Sequence, residues 1–323
     1  MPPPMITVSV VIVTYNRSSI CQETVSQFLP LLGDEVELVV VDQGPGEQLQ
    51  DYCRNEASHS PQLRHIRLTK PGTTRARNAG IQSARGSIIL FVDDDVIPYP
   101  DLIHAHLDAY RDPTVGAVAG RIIEGDDDRI HPVDPRALDP RYGWLFTRFC
   151  YDRPVDLMTA RGCNMSVRRQ ILVSIGGFDT QFSPPMFFRE ESDVSLRVIR
   201  AGYRLRYIPT ATLIHLSHST GGTRSVTPTR GTIKAELAMY RRLFLHLRDD
   251  LYFQAKHFRL SEQAYTVAKT YRDYVGLSRW PWRLLAKNLC FVFAFCQAQL
   301  RAARSRPPYF DDALVSRSEV GTQ

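Results

Sequence analysis

The chain has 323 residues, 43% hydrophobic and 23% charged, which excludes a disordered or fibrous protein and leaves room for one large domain or two ordinary ones. Its formal net charge is only +6, and no Lys/Arg-rich run interleaved with aromatics supports nucleic-acid binding. Six scattered cysteines (Cys21, Cys53, Cys150, Cys163, Cys290 and Cys296) lack the spacing of a metal site or disulfide framework and suggest a reducing compartment.

Strand and helix patterns alternate through the first 120 residues or so. Val8 to Val13 is a near-continuous apolar strand, Ser18 to Leu32 a helix stopped by Gly33, and Val36 to Val41 a second buried strand. A weaker helix runs from Glu47 to about Ala57, followed by an alternating strand, Leu63 to Leu68. Arg75 to Ala84 reads as a helix, Ser87 to Val92 as the central strand, Leu102 to Tyr110 as a helix and Val115 to Ala119 as a strand. This alternation implies an α/β fold with a mostly parallel, doubly wound sheet covered by helices on both faces. Such sheets bind ligands beyond the carboxyl ends of their strands, where Thr14-Tyr15-Asn16-Arg17, Asp42 and Asp93-Asp94-Asp95 all fall.

Residues from Glu124 to Pro154 are rich in Asp, Pro and Arg and read as an irregular insertion, either touching an acceptor or simply solvated. Gly162 to Val167 resumes order, and a short helix ends at Gly176-Gly177. After the Ser183-Pro184-Pro185 loop, Val194 to Arg200 is helical, and two strands are expected at Arg204–Ile208 and Thr212–Leu216. From about Ile233 to Arg304 the chain reads as all-helical, and the polar residues 306–323 as a disordered tail.

The N-terminus, Met-Pro-Pro-Pro-Met, lacks the basic flank and apolar core of a signal peptide. The longest apolar run, Leu289 to Cys296, is far below the roughly 20 residues of a spanning helix. A cytoplasmic protein is therefore expected. Trp280, Trp282, Arg283 and Lys287 around an apolar helix at 280–300 would suit peripheral contact with a membrane, although packing against the catalytic domain or a second copy explains them as well.

Three adjacent aspartates repel one another unless water or a cation neutralises them. Hard divalent cations take carboxylates plus substrate phosphates, while a solvated turn at a strand end would show the same triplet. Pro71 to Gly80 brings Arg75, Arg77 and a helix N-terminus to the same edge, an arrangement suited to phosphate or to ordinary surface pairing. Glu190-Glu191-Ser192-Asp193 opens a helix; acids there complement the dipole, yet one of two adjacent glutamates could act as a general base. His215 and His218, just before Gly221-Gly222-Thr223-Arg224, could complete a metal–diphosphate site or be structural.

Together these residues resemble the family 2 glycosyltransferases, enzymes of the GT-A nucleotide-sugar-binding fold. The resemblance covers Val8 to about Arg224. It rests on Val-Ile-Val-Thr-Tyr-Asn-Arg (11–17), Val-Val-Val-Asp (39–42), Ala-Arg-Asn-Ala-Gly (76–80) and Phe-Val-Asp-Asp-Asp (91–95). It continues through Gly-Cys-Asn-Met-Ser (162–166), Gly-Gly-Phe-Asp (176–179), Glu-Glu-Ser-Asp-Val-Ser-Leu-Arg (190–197) and Ala-Gly-Tyr-Arg (201–204). It implies a catalytic domain over 1–225, with a nucleotide-sugar half (1–121) and an acceptor and base half (122–225), followed by a helical region at 226–305.

The resemblance also implies roles. Thr14, Tyr15 and Asp42 would hold the nucleotide base, with Arg17 alongside and Arg77 near the phosphates. Asp93 would contact ribose and sugar. Asp95, with His215, would ligate Mg²⁺ or Mn²⁺. Asp94 belongs to the donor-binding cluster, although as the middle residue its side chain is expected to point elsewhere. Arg224 would close over the diphosphate. Glu191 takes the place of the commoner aspartate base, with Glu190 or Asp193 as substitutes. The implied activity is an inverting transfer from a nucleotide-diphospho-sugar to a hydroxyl of a glycan or lipid-linked acceptor. Alternatives are a sugar nucleotidyltransferase, whose Gly-rich loop after the first strand is absent, and a binding protein without a base, against which Glu190-Glu191 argues.

Overall fold

The computed structural model describes residues 6–146, 148–182, 189–218, 233–275 and 281–307. In chain order the elements are β1 (Val8–Thr14), α1 (Ser18–Phe28), β2 (Val36–Asp42), α2 (Gln48–Ala57), β3 (Leu63–Arg67), α3 (Thr73–Ser83), β4 (Ile88–Val92), β5 (Val96–Pro98) and α4 (Leu102–Ala109). There follow β6 (Val115–Glu124), β7 (Val155–Asp156), β8 (Asn164–Arg168), α5 (Arg169–Ser174), α6 (Glu190–Arg200), β9 (Arg204–His215), α7 (Ile233–His257), α8 (Leu260–Tyr274) and α9 (Pro281–Arg304). All the strands join one sheet in the order β3-β2-β1-β4-β8-β6-β9-β5, with β7 on β9.

The apolar runs explain the first half. Every residue of β2 and β4 is buried, as strands covered on both faces must be. β3, β2, β1 and β4 are parallel. β8 then enters antiparallel to both β4 and β6, so the second half of the sheet is mixed. A run of buried residues fixes the existence of a strand, not its direction, and this reversal has no local signature. The two strands expected at 204–208 and 212–216 are one strand, β9, irregular where its pairing passes from Ile208 to Thr212. β6 is longer than expected, reaching Glu124 and so taking the first residue of the supposed insertion into the sheet.

Asn164 locks the junction of β6, β8 and β9. Its Nδ2 donates to Arg121 O and Ala211 O, both at 2.9 Å, and its Oδ1 lies 2.9 Å from His106 Nε2. Burial holds the His106 pKa down to about 4, so the ring is neutral and its Nε2–H donates to Asn164. Gly120 makes room for this amide, because a Cβ there would stand 2.3 Å from Ala211 O and from Asn164 Nδ2.

The last three helices gather around a second apolar cluster. Trp144, Phe182 and Leu196 of the preceding region pack with Leu247, Leu251, Tyr252, Phe253, Ala294 and Ala298. No described helix is long and apolar enough to cross a membrane. On α9 Leu285, Leu289, Val292, Phe293 and Leu300 are exposed, whereas Lys287 donates to Val275 O and Arg301 turns inward toward Asp249. Trp280 and residues 308–323 lie outside the described residues.

Replacing Asn164 by Ala removes the side-chain partner of one buried carbonyl, one part-buried carbonyl and one buried imidazole N–H, each worth about 1–3 kcal/mol when left unsatisfied. Asn164→Ala should therefore lower unfolding free energy by roughly 3 kcal/mol or more, seen in urea as a lower midpoint at unchanged slope.

Candidate active site

Strand register assembles the site. Thr14 pairs with Asp42 across β1 and β2, and β4 ends beside them, so residues 93–95 emerge at the same edge. β5 then runs antiparallel to β9 with Val96 opposite His215, while β6 places Glu124 opposite His215 from the other side. His215 is thereby fixed between Asp95 and Glu124.

Asp93, Asp95 and His215 each present a ligand atom, all within 4.8 Å of one another. His215 Nε2 is 3.3 Å from Asp95 Oδ1 and 3.7 Å from Asp93 Oδ2. Its Nδ1 lies 2.9 Å from Glu124 Oε2, which also accepts from Ser217 Oγ at 3.0 Å. Burial works against a charged imidazole, but hydrogen bonds to Asp95 and Glu124 outweigh it and raise the His215 pKa to about 9. The hydrogen bond from His215 is the main reason Glu124 sits at about 2, ahead of the Arg161 that pairs with it. Two carboxylates and an imidazole oriented by a carboxylate fit a hard-to-borderline divalent cation such as Mg²⁺ or Mn²⁺.

Asp94 points the other way. It is buried and accepts from Thr14 Oγ1 at 2.6 Å and from Arg17 Nη1 at 3.0 Å; burial pushes its pKa up to about 6. Arg17 also donates to His218 O at 3.0 Å, and His218 N donates to Asp95 Oδ2 at 3.0 Å. Thr14 and Arg17 thus brace the aspartate turn from beneath. Asp42 accepts from Gly44 N at 2.7 Å and faces His65 at 3.4 Å, while Tyr15 is exposed at the same edge.

The acidic pair of α6 meets α3. Arg77, buried beneath it, approaches Glu190 Oε1 at 3.2 Å and Glu191 Oε1 at 3.4 Å, and its guanidinium lies over the Phe178 ring. Glu191 Oε1 also accepts from Gly162 N at 3.2 Å. A Cβ at Gly162 would fall 2.0 Å from Arg77 Nη2, so only glycine permits this approach. Burial and the neighbouring carboxylate push the Glu190 pKa well up. Burial opposes ionisation of Glu191 too, but Arg77 and the backbone donors overcome it and hold its pKa below the usual carboxylate value. Burial thus favours the protonated form of Glu190, and Arg77 the ionised form of Glu191. Asp93 lies within electrostatic reach of both Arg77 and Glu191, so the two acidic groups stand near one another.

The sequence profile described as Glycosyl transferase family 2 matches residues 9–176, or 168 of the 323 residues. The chain belongs to glycosyl transferase family 2. It is 26% identical over 179 residues to the glucosyl-dolichyl phosphate glucuronosyltransferase of Haloferax volcanii, covering 54% of this chain and 56% of that protein. It is 28% identical over 224 residues to the pre-mycofactocin glycosyltransferase of Mycobacterium tuberculosis, covering 64% of this chain and 42% of that one. The chain thus spans about half the length of these relatives. A mannosyltransferase from Pyrobaculum calidifontis, solved in complex with GDP-Man and Mn²⁺, superposes with a TM-score of 0.55 at 21% identity, covering 94% of this chain and 80% of the other. That likeness shows the fold.

Within this family 2 chain, Asp193 stands apart from the cleft. It is fully buried and bound by Arg197 at 2.6 Å, Lys256 at 2.7 Å and His257 at 2.8 Å, which draw its pKa down despite burial. A carboxylate so enclosed reaches no substrate proton. Arg224 lies outside the described residues. Glu124 and Arg161 are site residues that the sequence patterns did not single out. Glu124 could have been found, because it ends an apolar strand as Asp42 and Asp93 do.

Glu124→Gln keeps the shape but removes the charge that orients His215. Mn²⁺ affinity, followed by electron paramagnetic resonance, should weaken roughly ten- to a hundredfold. The half-exposed position should leave thermal stability almost unchanged.

Proposed function

We propose that the protein is a metal-dependent, inverting glycosyltransferase. It would move a sugar from a nucleoside-diphosphate donor to a hydroxyl of a glycan or lipid-linked acceptor. One observation carries the reading: Glu191, paired with Arg77, stands near the Asp93–Asp95–His215 cluster. The named activity of the H. volcanii relative, a glucuronosyltransferase whose name includes glucosyl-dolichyl phosphate, supports a lipid-linked acceptor. GDP-Man and Mn²⁺ in the P. calidifontis structure support the donor class and the metal.

Asp42 and the exposed Tyr15 would take the nucleotide base, while Thr14 and Arg17 act through Asp94 and the aspartate turn. Asp93, Asp95 and His215 would hold Mg²⁺ or Mn²⁺, which when bound supplies positive charge for the departing diphosphate. Arg77 would place a second, fixed positive charge nearby, and Arg224 a third. Glu191 takes the proton of the acceptor hydroxyl. The freed oxygen forms a bond to the anomeric carbon as the bond from that carbon to the diphosphate oxygen breaks, and the bonding pair leaves on the diphosphate. Attack opposite the leaving group inverts the configuration. Glu190, pushed toward its protonated form by burial and tied to Arg77, limits the negative charge beside Glu191.

Glu191→Gln should cut transfer by at least a thousandfold while nucleoside diphosphate and Mn²⁺ still raise the melting temperature; unchanged turnover would exclude Glu191 as the base. The pH profile gives a separate check. A carboxylate held below its ordinary pKa is ionised above that value and fails only as pH falls through it, so the acid limb of kcat should lie low. Arg77→Gln removes the cause, and the limb should move to higher pH.

A further inference from the structure

Glu190 and Glu191 open α6, and the residue before them is held in a way local sequence does not require. Arg189 has φ of 76°, a left-handed conformation that a non-glycine residue keeps only when its surroundings impose it. Its carbonyl accepts from Asp193 N at 2.8 Å, so the helix starts from this residue. The surroundings that impose the conformation come from elsewhere in the chain. Arg189 Nε donates to Asp250 Oδ1 at 2.7 Å, Nη1 donates to Trp144 O at 3.0 Å, and the guanidinium lies 4.6 Å from the centroid of the Trp144 ring. Asp250 belongs to α7, and its other oxygen accepts from Thr270 Oγ1 of α8 at 2.6 Å and from Gln254 Nε2 at 3.1 Å. One turn further along α6, Lys256 and His257 of the same α7 bind Asp193. Both attachments are buried.

We propose that Asp250 is a positioning residue for the transfer reaction: through Arg189 it fixes the first turn of α6, and so sets where the Glu191 carboxylate stands against Arg77 and the acceptor hydroxyl. The proposal rests on the reading of Glu191 as the base. Glu191 meets Arg77 and Gly162 N at 3.4 and 3.2 Å, contacts that a small rotation of the first turn would break. Displacement of a catalytic group by about 1 Å can cost on the order of a hundredfold in rate. The helices α7 and α8 are on this view part of the catalytic apparatus, although neither supplies a group to the cleft.

Asp250→Asn tests it in the full-length protein, with Asp249→Asn as the matched control. Asp249 is equally buried in α7 but pairs with Arg248 and Arg301, not with α6. Both variants should melt at lower temperature. Well below melting, Asp250→Asn should lose tenfold or more in kcat with donor KM within twofold and an acid limb moved to higher pH, while Asp249→Asn keeps kcat and its pH profile. Equal kcat in the two variants, or a loss of donor binding in step with kcat, overturns the proposal. Should Asp250→Asn not accumulate as folded protein, Thr270→Val removes only the hydroxyl that orients Asp250. A several-fold lower kcat at unchanged donor KM then supports the proposal, and wild-type kcat overturns it. Glu191→Gln run alongside separates the two readings: an active Glu191→Gln removes the base assignment itself, whereas an inactive one beside a normal Asp250→Asn removes only the positioning role.

Discussion

Carboxylates converge on one edge of the sheet, and repulsion among Asp93, Asp94, Asp95, Glu190 and Glu191 is the constraint that the surrounding residues answer. At an effective dielectric near 20, two like charges 4 Å apart cost about 4 kcal/mol, so five could not be left ionised and unpaired. Each is treated differently. Asp94 is buried, bonded to Thr14 and Arg17, and titrates near 6. Asp95 is drawn down, against burial, by His215, Arg17 and the backbone of His218. Glu190 and Glu191 divide one proton around Arg77. Asp93 is the member whose side chain keeps substantial exposure, about a third. The edge thus faces the cleft with one accessible aspartate, one ionised glutamate and a histidine, a distribution suited to a cation and a proton acceptor at the same time.

That distribution explains why the acids are not interchangeable. In the turn between β4 and β5, Asp94 is held by Thr14 and Arg17 while Asp93 and Asp95 stand beside His215. In the first turn of a helix each residue is turned about 100° from the last, so residue 191 points away from 190 and 193, and the three acids there meet three environments. Glu190 faces Arg77 and the interior, Glu191 the cleft, and Asp193 the C-terminal helices.

Much of the parallel first half was legible in the sequence because each strand is a buried run and each acid follows such a run directly. Asp42 and Asp93–Asp95 needed only strand ends to be placed at the ligand-binding edge. What was not legible depends on pairings across long sequence separations. The resemblance put His215 with Asp95, but the residue pattern did not show the means: β5, a three-residue strand with too few positions to show alternation, lies antiparallel to β9. Glu124 ends an apolar strand as Asp42 does, but only the pairing of β6 with β9 sets it opposite His215. Asp193 read as a possible base because its partners Lys256 and His257 lie about sixty residues on, in a helix with no recognisable motif.

The C-terminal helices show a division of labour between apolar and ionic contacts. Trp144, Phe182 and Leu196 meeting Tyr252, Phe253 and Ala294 would hold the helices against the sheet domain in many orientations, since apolar burial is non-directional. Buried ion pairs rarely add net stability, because desolvation offsets much of the Coulomb gain, but losing one partner costs about 3–5 kcal/mol. Arg189–Asp250, Lys256–Asp193 and Lys256–Asp179 therefore act as a register: any docking that leaves one of these charges unpaired is excluded by several kcal/mol. All three converge on α6 and the loop that leads into it. The sheet places the aspartates and His215 by strand register, and the helices place the opposing glutamate by charge register. The cleft lies where these two independent constraints must agree.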